Sequence, residues 1–336
     1  MKYKFLSDTG LKVSELCFGT MSFGGDADER TSERMFHRCC DIGINFFDCA
    51  NVYNNGLAET ILGKLIKKSR SDYIITTKVY FPTGENINAK GASRRHIFSS
   101  IEASLERLQT DYIDLYYIHL FDEETNPEET MRALDDLVHQ GKVLYLGASN
   151  FAAWQVMKCI GISEKCNLNR FKCIQPMYNL VKRQAEVELL PMASAENLAV
   201  TSYSPLGGGL LTGKYGSDTR PERGRLVENK MYQTRYQSQI YYEIAEDFAR
   251  FAKSNGFDPA ALAVAWVASH PAVTAPIIGA RTVQQLNSTL HCLDIDIPDT
   301  FRSRISALSP APPPATDRTE ETTAFNFEYT VKSRMK

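Results

Sequence analysis

Four residues of this 336-residue chain could together deliver a proton to a reacting oxygen: Asp48, Tyr53, Lys78 and His119. The phenol of a tyrosine has an ordinary pKa of about 10, so alone it is a weak acid near neutral pH. A neighbouring ammonium group stabilises the phenolate and lowers that pKa. We therefore interpret Tyr53 as a general acid that Lys78 activates, with Asp48 pairing with Lys78 and holding it in place.

The remaining member of this group, His119, can donate a hydrogen bond to a carbonyl oxygen and orient a substrate. General acid catalysis combined with stabilisation of an alkoxide suits hydride addition to an aldehyde or ketone. The hydride has to come from a cofactor. Taken singly, each side chain has an ordinary structural role, such as a turn cap, a surface aromatic or a buried histidine. Catalysis therefore requires a fold that brings all of them to one place.

The chain alternates between short apolar segments and amphipathic segments, which predicts strands and helices in turn. The predicted strands span residues 16–20, 44–50, 73–79, 113–119, 143–149, 173–179, 199–205 and 274–280. The predicted helices span residues 32–42, 59–68, 94–108, 128–140, 239–253 and 259–269. Such alternation is typical of right-handed βαβ units and a parallel sheet. We expect an α/β fold in which eight strands close into a (β/α)8 TIM barrel, with catalytic groups at the C-terminal strand ends.

Both ends of the chain add to this barrel. Residues 5–16, FLSDTGLKVSEL, predict a β-hairpin that caps the bottom of the barrel. A late Pro- and Thr-rich stretch is typical of an extended segment. We predict one barrel domain over residues 1–308 and an extended C-terminal tail over residues 309–336. Three aromatic residues of the tail are expected to pack on the surface rather than line a pocket: Phe325, Phe327 and Tyr329.

Composition argues against several classes of protein. The formal net charge is −2 with both signs interspersed, which is not typical of a protein with a nucleic-acid partner. No signal peptide and no membrane-spanning apolar segment are evident, so we expect a cytoplasmic protein with no membrane partner. The 8 cysteines form no C-x-x-C pair and the histidines show no metal-ligand spacing, so we expect reduced thiols and no metal. The sequence does not specify an oligomeric state.

Two common nucleotide-binding motifs are incomplete or missing. Residues 208–214 fit G-x-x-x-x-G-K, but Tyr215 stands where a P-loop has the Ser or Thr that binds Mg²⁺. No G-x-G-x-x-G follows a predicted strand, which argues against a Rossmann dehydrogenase.

The motifs around the candidate acid resemble those of the aldo-keto reductase superfamily, including its potassium-channel β-subunit-like branch. In the family's order they are GTMSFG (19–24), DCANVY (48–53), TTKV (76–79), IDLYYIH (113–119), GASNF (147–151), QPMYN (175–179), SYSPL (202–206), LLTGKY (210–215) and IIGAR (277–281). The resemblance implies a (β/α)8 barrel that binds NADPH in an extended form at its C-terminal rim. It also implies that Asp48, Tyr53, Lys78 and His119 form a catalytic tetrad.

The resemblance further implies a cofactor-binding set on the same strand ends and loops. Its members are Gly19, Thr20, Met21, Asp48, Ser149, Asn150, Gln175, Tyr203, Ser204, Pro205, Leu206, Gly208, Lys214, Gly279, Arg281, Gln285 and Thr289. Ser149, Asn150 and Gln175 are implied to hold the nicotinamide carboxamide, and Tyr203 to stack on the nicotinamide ring.

The pyrophosphate is implied to bind a later loop. Residues 204–206, Gly208 and Lys214 resemble this loop and its cation, and Gly279 opens the last phosphate-binding loop. The segment RPERGR (220–225) either folds over these phosphates or is a solvated run of charge, and we expect the second.

The adenosine end is implied to lie near the last strand. Arg281 is placed to meet a ribose 2′-phosphate, for which a guanidinium is well suited, so NADPH is favoured over NADH. Gln285 resembles an adenosine contact, whereas Thr289 replaces the Asn that relatives often carry near the adenine.

The substrate pocket is predicted to be apolar or aromatic, which suits aldehydes with an organic body. Its predicted lining residues are Tyr53, His119, Phe23, Phe81 and Phe121. The predicted activity is NADPH-dependent reduction of a small-molecule carbonyl compound. Two alternatives stay open: a barrel aldolase that uses Lys78 as a Schiff base, and a cofactor-sensing regulatory subunit on the same fold.

Overall fold

The computed structural model describes residues 1–326, and its centre is a parallel β-sheet of eight strands. Two short strands, β1 (Tyr3–Phe5) and β2 (Lys12–Ser14), pair antiparallel before it. The eight parallel strands are β3 (Cys17–Gly19), β4 (Phe46–Asp48), β5 (Ile74–Val79), β6 (Ile113–Ile118), β7 (Val143–Ser149), β8 (Phe171–Gln175), β9 (Ala199–Val200) and β10 (Ile277–Ile278). Strand β10 lies beside β3, and the others follow in chain order from β3 to β9.

Backbone hydrogen bonds between the last two strand segments close this sheet into a barrel. The N–H groups of Thr274 and Ala275 donate to the carbonyl oxygen of Val200 at 2.9 and 3.2 Å, and Ile277 donates to that of Ser202 at 2.8 Å. Each barrel strand therefore has a neighbour on both sides, and the predicted (β/α)8 barrel is confirmed.

Helices cover the outside of the barrel. They are α1 (Glu29–Asp41), α2 (Leu57–Ile66), α3 (Arg94–Leu108), α4 (Pro127–His139), α5 (Ala153–Cys166), α6 (Leu189–Ala195), α7 (Arg225–Glu228), α8 (Lys230–Arg235), α9 (Gln239–Ser254), α10 (Pro259–Ala268), α11 (Val283–Leu290) and α12 (Asp299–Ser306). Within residues 1–326, none of the helices combines the length and the apolar character that crossing a membrane requires.

Local signals explain why α3 forms where it was predicted. The Ser93 side chain accepts a hydrogen bond from the N–H of His96 at 3.3 Å and so caps the first turn. Gln109 adopts a left-handed backbone conformation at φ 52°, which ends the helix. Ile97 and Ile101 lie one turn apart on the face that is buried against the barrel.

The N-terminal hairpin closes the barrel from below. Leu6 and Val13 are fully buried and belong to the same apolar cluster as Phe46, Leu115 and Tyr117 from the barrel strands. The predicted hairpin cap is therefore confirmed. Because side chains fill this end, the polar groups described below lie at the opposite, C-terminal end of the strands.

Some predicted boundaries were wrong. Regular pairing of β9 stops at Val200, although the N–H of Tyr203 still donates to the carbonyl oxygen of Pro176 at 2.9 Å. Helix α5 was not predicted, because its buried face carries Cys159 and Ser163 and so lacks a continuous apolar stripe. Helices α6, α7, α8, α11 and α12 were missed as well, and each is shorter than the predicted ones.

The chain leaves the barrel after α12. Ile305 of this helix is fully buried, whereas residues 310–326 are largely exposed. Of the three tail aromatics, Phe325 is 71% exposed, and Phe327 and Tyr329 lie outside the described residues. The domain boundary between residues 308 and 309 stays a prediction.

Candidate active site

The four predicted catalytic side chains lie at the C-terminal ends of three adjacent strands. Asp48 is the last residue of β4, Lys78 is next to last in β5, and His119 directly follows β6. Tyr53 begins a 3₁₀ turn shortly beyond β4. Since β4, β5 and β6 are parallel neighbours in the sheet, their pairing brings these residues to one rim of the barrel, as predicted.

The ammonium group of Lys78 joins Asp48 to Tyr53. Its Nζ lies 2.6 Å from Asp48 Oδ2 and 2.6 Å from the carbonyl oxygen of Cys49. The same Nζ lies 3.4 Å from Tyr53 Oη. Lys78 is fully buried and Asp48 is 3% exposed, so each of these charges depends on the other for compensation.

Burial and charge act in opposite directions on the two titrating groups of this site. Burial lowers the pKa of Lys78, but the Asp48 and Tyr53 charges outweigh it, so that pKa lies above its ordinary value. Burial of the Tyr53 hydroxyl raises the pKa of Tyr53 to about 12, although Lys78 acts to lower it. The predicted direction of the Lys78 effect is confirmed. The expected net lowering of the Tyr53 pKa was wrong, because desolvation of the hydroxyl is the larger influence.

His119 is packed between two aromatic rings. Its ring centroid lies 6.1 Å from that of Tyr53 and 4.8 Å from that of Phe81, both in edge-to-face geometry. Its Nδ1 is buried and has no hydrogen-bond partner within residues 1–326. Burial and the positive charge of Lys78 keep the pKa of His119 well below its ordinary value. The imidazole is therefore neutral at about pH 7 and carries one N–H donor.

The residues implied to hold a nicotinamide form a hydrogen-bonded cluster beside this group. Ser149 and Gln175 end β7 and β8, and Asn150 follows Ser149. Asn150 Nδ2 donates to Ser149 Oγ at 3.0 Å and to the carbonyl oxygen of His119 at 2.9 Å. Tyr203 Oη donates to Asn150 Oδ1 at 2.6 Å. Hydrogen bonds therefore link four residues of the predicted cofactor set: Ser149, Asn150, Gln175 and Tyr203.

Two further donors reach the Asp48 carboxylate. Gln175 Nε2 and Thr76 Oγ1 each donate to Asp48 Oδ1 at 2.9 Å. Thr76 was not predicted as a site residue. Its position two residues before Lys78 on β5 was the available signal, since alternate residues of a strand point to the same face.

A glycine-rich turn follows Tyr203 and lies beneath Lys214. Residues 207–209 have φ values of 58°, 70° and 99°, in the left-handed region that favours glycine. A side chain on Gly209 would begin 3.6 Å from Lys214 Cε and 3.7 Å from its Nζ. Partial burial and the charges of Arg281 and Arg225 lower the pKa of Lys214. An anion bound at this turn would relieve the repulsion among these cations.

The loop residues before this turn differ in exposure. Ser204 adopts a left-handed conformation at φ 58°, Pro205 is buried and Leu206 is half-buried. Gly279 follows β10 and lies beside Gly19, since a side chain on it would begin 3.7 Å from the Gly19 carbonyl oxygen.

Arg281, implied to meet a 2′-phosphate, forms ion pairs with two carboxylates. Its Nε lies 2.9 Å from Asp26 Oδ2, and its Nη1 lies 3.3 Å from Glu228 Oε2. Arg225 Nη2 lies 4.0 Å from the same Asp26 oxygen. Asp26 and Glu228 were not predicted as site residues, because they are far apart in the sequence and only the fold brings them to Arg281.

The charged segment 220–225 is largely exposed, as predicted. Arg223 fits that expectation with 87% of its side chain exposed, but the Arg220 guanidinium lies 3.5 Å from the centroid of the Tyr242 ring. The helices that follow pack inward, and a side chain on Gly208 would begin 2.7 Å from Tyr232 Cδ1. Within the segment itself, Arg220, Glu222 and Arg223 are exposed, so the expected solvated run is confirmed for these side chains, whereas Arg225 is half-buried.

The first barrel loop supplies three members of the predicted cofactor set. Thr20 is fully buried, and its Oγ1 donates to the carbonyl oxygen of Asp48 at 3.0 Å. Met21 is 40% exposed at the rim. Gly19 is so closely packed that a side chain would begin 2.8 Å from Ile277 Cγ2.

The two residues implied to contact adenosine face different surroundings. Gln285 is exposed, and its Oε1 accepts a hydrogen bond from the Arg281 N–H at 3.0 Å. Thr289 is 3% exposed, and its Oγ1 donates to the carbonyl oxygen of Gln285 at 3.1 Å. The Thr289 hydroxyl is therefore turned back onto its own helix.

Of the three phenylalanines predicted to contact substrate, two lie near the rim and one does not. Phe81 contacts the ring of His119. Phe121 is half-buried and packs edge-to-face at 5.8 Å against Trp154, which is 60% exposed and was not predicted. Phe23 is fully buried in the core, 5.8 Å from the ring of Phe18. Its predicted place on the pocket wall is therefore corrected to a place behind that wall.

A (β/α)8 barrel with this Tyr–Lys–Asp–His group at its C-terminal rim belongs to the class of barrel oxidoreductases. The sequence profile of the aldo/keto reductase family matches residues 15–310, and the chain belongs to that family. It is 39% identical over 327 residues, covering 93% of this chain and 97% of the relative, to an uncharacterized oxidoreductase, YrpG, of Bacillus subtilis.

Other relatives carry a different name. The chain is 37% identical over 310 residues (88% of this chain, 92% of the relative) to a probable voltage-gated potassium channel subunit beta of Arabidopsis thaliana. It is 35% identical over 305 residues (87% and 88%) to a putative subunit of the same kind in Schizosaccharomyces pombe. The resemblance seen in the sequence motifs is thereby confirmed.

Proposed function

We propose that this protein reduces aldehydes and ketones to alcohols with NADPH, and that Tyr53 donates the proton. The position of Lys78 Nζ, 2.6 Å from Asp48 Oδ2 and 3.4 Å from Tyr53 Oη, carries this proposal. A buried cation beside a phenol is suited to stabilise the phenolate that remains after proton transfer. Membership of an oxidoreductase family supports the same reaction type.

The reduced nicotinamide supplies the hydride when it is bound. As the hydride adds to the carbonyl carbon, the electron pair of the C=O π bond moves to oxygen, and Tyr53 donates its phenolic proton there. Lys78 stabilises the tyrosinate, and Asp48 keeps Lys78 charged and in place. The neutral His119 donates a hydrogen bond to the same oxygen and orients the substrate.

The described residues fit a dinucleotide phosphate in three places. Ser149, Asn150 and Gln175 offer hydroxyl and amide groups to a carboxamide. Lys214 beside the glycine-rich turn offers a cation to the pyrophosphate, and the crowding of positive charge around it favours an anion. Arg281 offers a guanidinium to a 2′-phosphate, which supports NADPH over NADH.

The proposed substrates are small carbonyl compounds with an apolar or aromatic body. Phe81 lies against His119, and Met21 is exposed at the same rim. Phe121 and the exposed Trp154 add an aromatic surface farther out. Such surfaces bury organic groups and leave the polar contacts to the catalytic residues.

The aldolase alternative requires a neutral amine on Lys78, because only an unprotonated lysine attacks a carbonyl group. Lys78 is fully buried against the Asp48 carboxylate, and its pKa lies above the ordinary value. This surrounding keeps the amine protonated. The geometry therefore favours a role as a stabilising cation over a role as a nucleophile.

A cofactor-sensing regulatory subunit is a second candidate, and one observation favours it. The Arabidopsis relative, 37% identical, is named a probable voltage-gated potassium channel subunit beta. The arrangement of Tyr53, Lys78 and Asp48 favours turnover, so reduction remains the leading proposal.

The deciding experiment is a panel of aldehydes and ketones, with NADPH consumption followed by its absorbance. Turnover of one or more compounds, with the alcohol identified as product, is the expected result. NADPH binding without turnover on any compound, together with recovery of a stoichiometric membrane partner in a pull-down, would favour the regulatory subunit instead.

A further inference from the structure

Asp48 divides its two carboxylate oxygens between different partners. Oδ2 lies 2.6 Å from Lys78 Nζ, while Oδ1 accepts hydrogen bonds from Thr76 Oγ1 and Gln175 Nε2, each at 2.9 Å. Thr76 is fully buried and Gln175 is 4% exposed. The carboxylate is therefore fixed from both sides by groups that bulk water does not reach.

The orientation of the Gln175 side chain follows from its contact with Asp48. A carboxylate only accepts hydrogen bonds, so the nitrogen of the Gln175 amide has to face it. The amide oxygen then faces Ser149, whose Oγ lies 3.4 Å from Gln175 Oε1. Ser149 Oγ in turn accepts a hydrogen bond from Asn150 Nδ2 at 3.0 Å. Gln175 thus links the Asp48–Lys78 pair to the cluster assigned to the nicotinamide under the proposed function.

We propose that Gln175 is a positioning residue for the Asp48–Lys78 pair, a role distinct from its contact with a nicotinamide. Together with Thr76 it holds Oδ1, which directs Oδ2 at Lys78 and keeps the ammonium group within reach of Tyr53. This inference rests on the proposed function for the reaction that Tyr53 serves. The contact itself involves protein atoms only.

Removal of a donor from Oδ1 has a definite consequence for Tyr53. Two neutral donors share the negative charge of Asp48, and with one fewer the carboxylate attracts Lys78 more strongly. The titratable and charged groups around Tyr53 are Lys78, Asp48, Cys49 and His119, and Lys78 is the cation among them. With its negative charge shared less, Asp48 offsets more of the Lys78 charge, so the pair stabilises the Tyr53 phenolate less, proton donation slows and Tyr53 titrates at higher pH.

Three variants separate positioning from nucleotide binding. Thr76→Val removes one Oδ1 donor and leaves the Ser149–Asn150–Gln175 cluster intact. Gln175→Met removes the other donor and one contact to the nicotinamide. Ser149→Ala removes a nicotinamide contact but no donor to Asp48.

The titration of Tyr53 is followed by ultraviolet absorbance in the protein without nucleotide. Each variant is compared with the same variant that also carries Tyr53→Phe, and the difference between the two absorbance curves is the contribution of Tyr53. Thr76→Val and Gln175→Met should both shift this titration to higher pH and lower kcat by about tenfold, as loss of a buried hydrogen bond to a charged group predicts. Ser149→Ala should leave the titration unchanged. The Kd for NADPH, measured by fluorescence quenching, should rise for Gln175→Met and Ser149→Ala and stay near wild type for Thr76→Val.

A Gln175→Met protein in which Tyr53 titrates as in wild type, while the Kd for NADPH rises, would overturn the positioning role. Thr76→Ser retains the hydroxyl and should restore wild-type titration. If a variant fails to fold, Thr76→Ala and Gln175→Asn make the same comparison, since the shorter amide does not reach Asp48. Failure of the proposed function looks different: wild-type protein would not consume NADPH with any carbonyl compound, whereas the Tyr53 titration would still report on Gln175.

Discussion

The guanidinium group of Arg281 forms an ion pair with Asp26, with 2.9 Å between Nε and Oδ2. The residue proposed to bind a 2′-phosphate is therefore already engaged by a carboxylate. A phosphate therefore competes with that carboxylate for the charge of the guanidinium. Two substitutions at this pair test the proposal from opposite directions.

Arg281→Ala should weaken binding of NADPH much more than binding of NADH, because only NADPH carries the 2′-phosphate. A charge-assisted contact of this kind contributes about tenfold or more in Kd. Fluorescence titration with both nucleotides measures the difference. Equal weakening of the two would mean that Arg281 does not contact the 2′-phosphate.

Asp26→Asn should have the opposite effect and tighten NADPH binding, because it removes one of the two carboxylates that pair with Arg281. The pair is partly exposed, so the expected gain is only about two- to fivefold and should shrink at high salt. NADH affinity serves as the control and should change little. Weaker NADPH binding in this variant would contradict competition at Arg281.

Tyr53→Phe should preserve NADPH binding and lower carbonyl reduction by orders of magnitude, because the ring remains while the proton donor is lost. The matched control is Tyr73→Phe, which removes a phenolic hydroxyl that lies 3.5 Å from Cys40 Sγ, away from the tetrad. Nucleotide affinity and kcat are measured for both proteins. Near-normal kcat in Tyr53→Phe would show that the proton comes from another group.

The pH dependence of reduction follows from the raised pKa of Tyr53, about 12. A proton donor acts in its protonated form, which dominates at every pH below that value. We therefore expect kcat at saturating NADPH and aldehyde to stay level from about pH 6 to pH 10 and to fall only as pH rises further. A decline centred near pH 8 would mean that a different acid, or a Tyr53 with a much lower pKa, donates the proton.

The hairpin cap should contribute measurably to stability. Leu6 is fully buried at the bottom of the barrel, and Leu6→Ala should lower the free energy of unfolding by about 2–5 kcal/mol. Phe5→Ala is the control. The Phe5 side chain is 57% exposed, so its removal should lower the free energy of unfolding by about 1 kcal/mol or less. Chemical denaturation compares the two. If both variants lose the same free energy of unfolding, the buried contact of Leu6 with the barrel does not stabilise the protein more than an exposed side chain does.

The order of the strands, and with it the barrel, was predictable from the sequence. Apolar segments alternate with amphipathic ones, and in a parallel barrel each strand end has a known neighbour. Asp48, Lys78 and His119 therefore had to meet at one rim once their strands were recognised. The segments predicted to bind a cofactor could be placed on that rim for the same reason, because they follow later strands.

Only the tertiary structure decided how these groups are paired. The partners of Arg281, the contact of Gln175 and Thr76 with one oxygen of Asp48, and the burial of Phe23 all depend on packing between segments distant in the chain. The pKa of Tyr53 depends on it too, since desolvation and the distance to Lys78 oppose each other. Periodicity determines which face a side chain occupies, but distances within a site depend on how the complete fold packs.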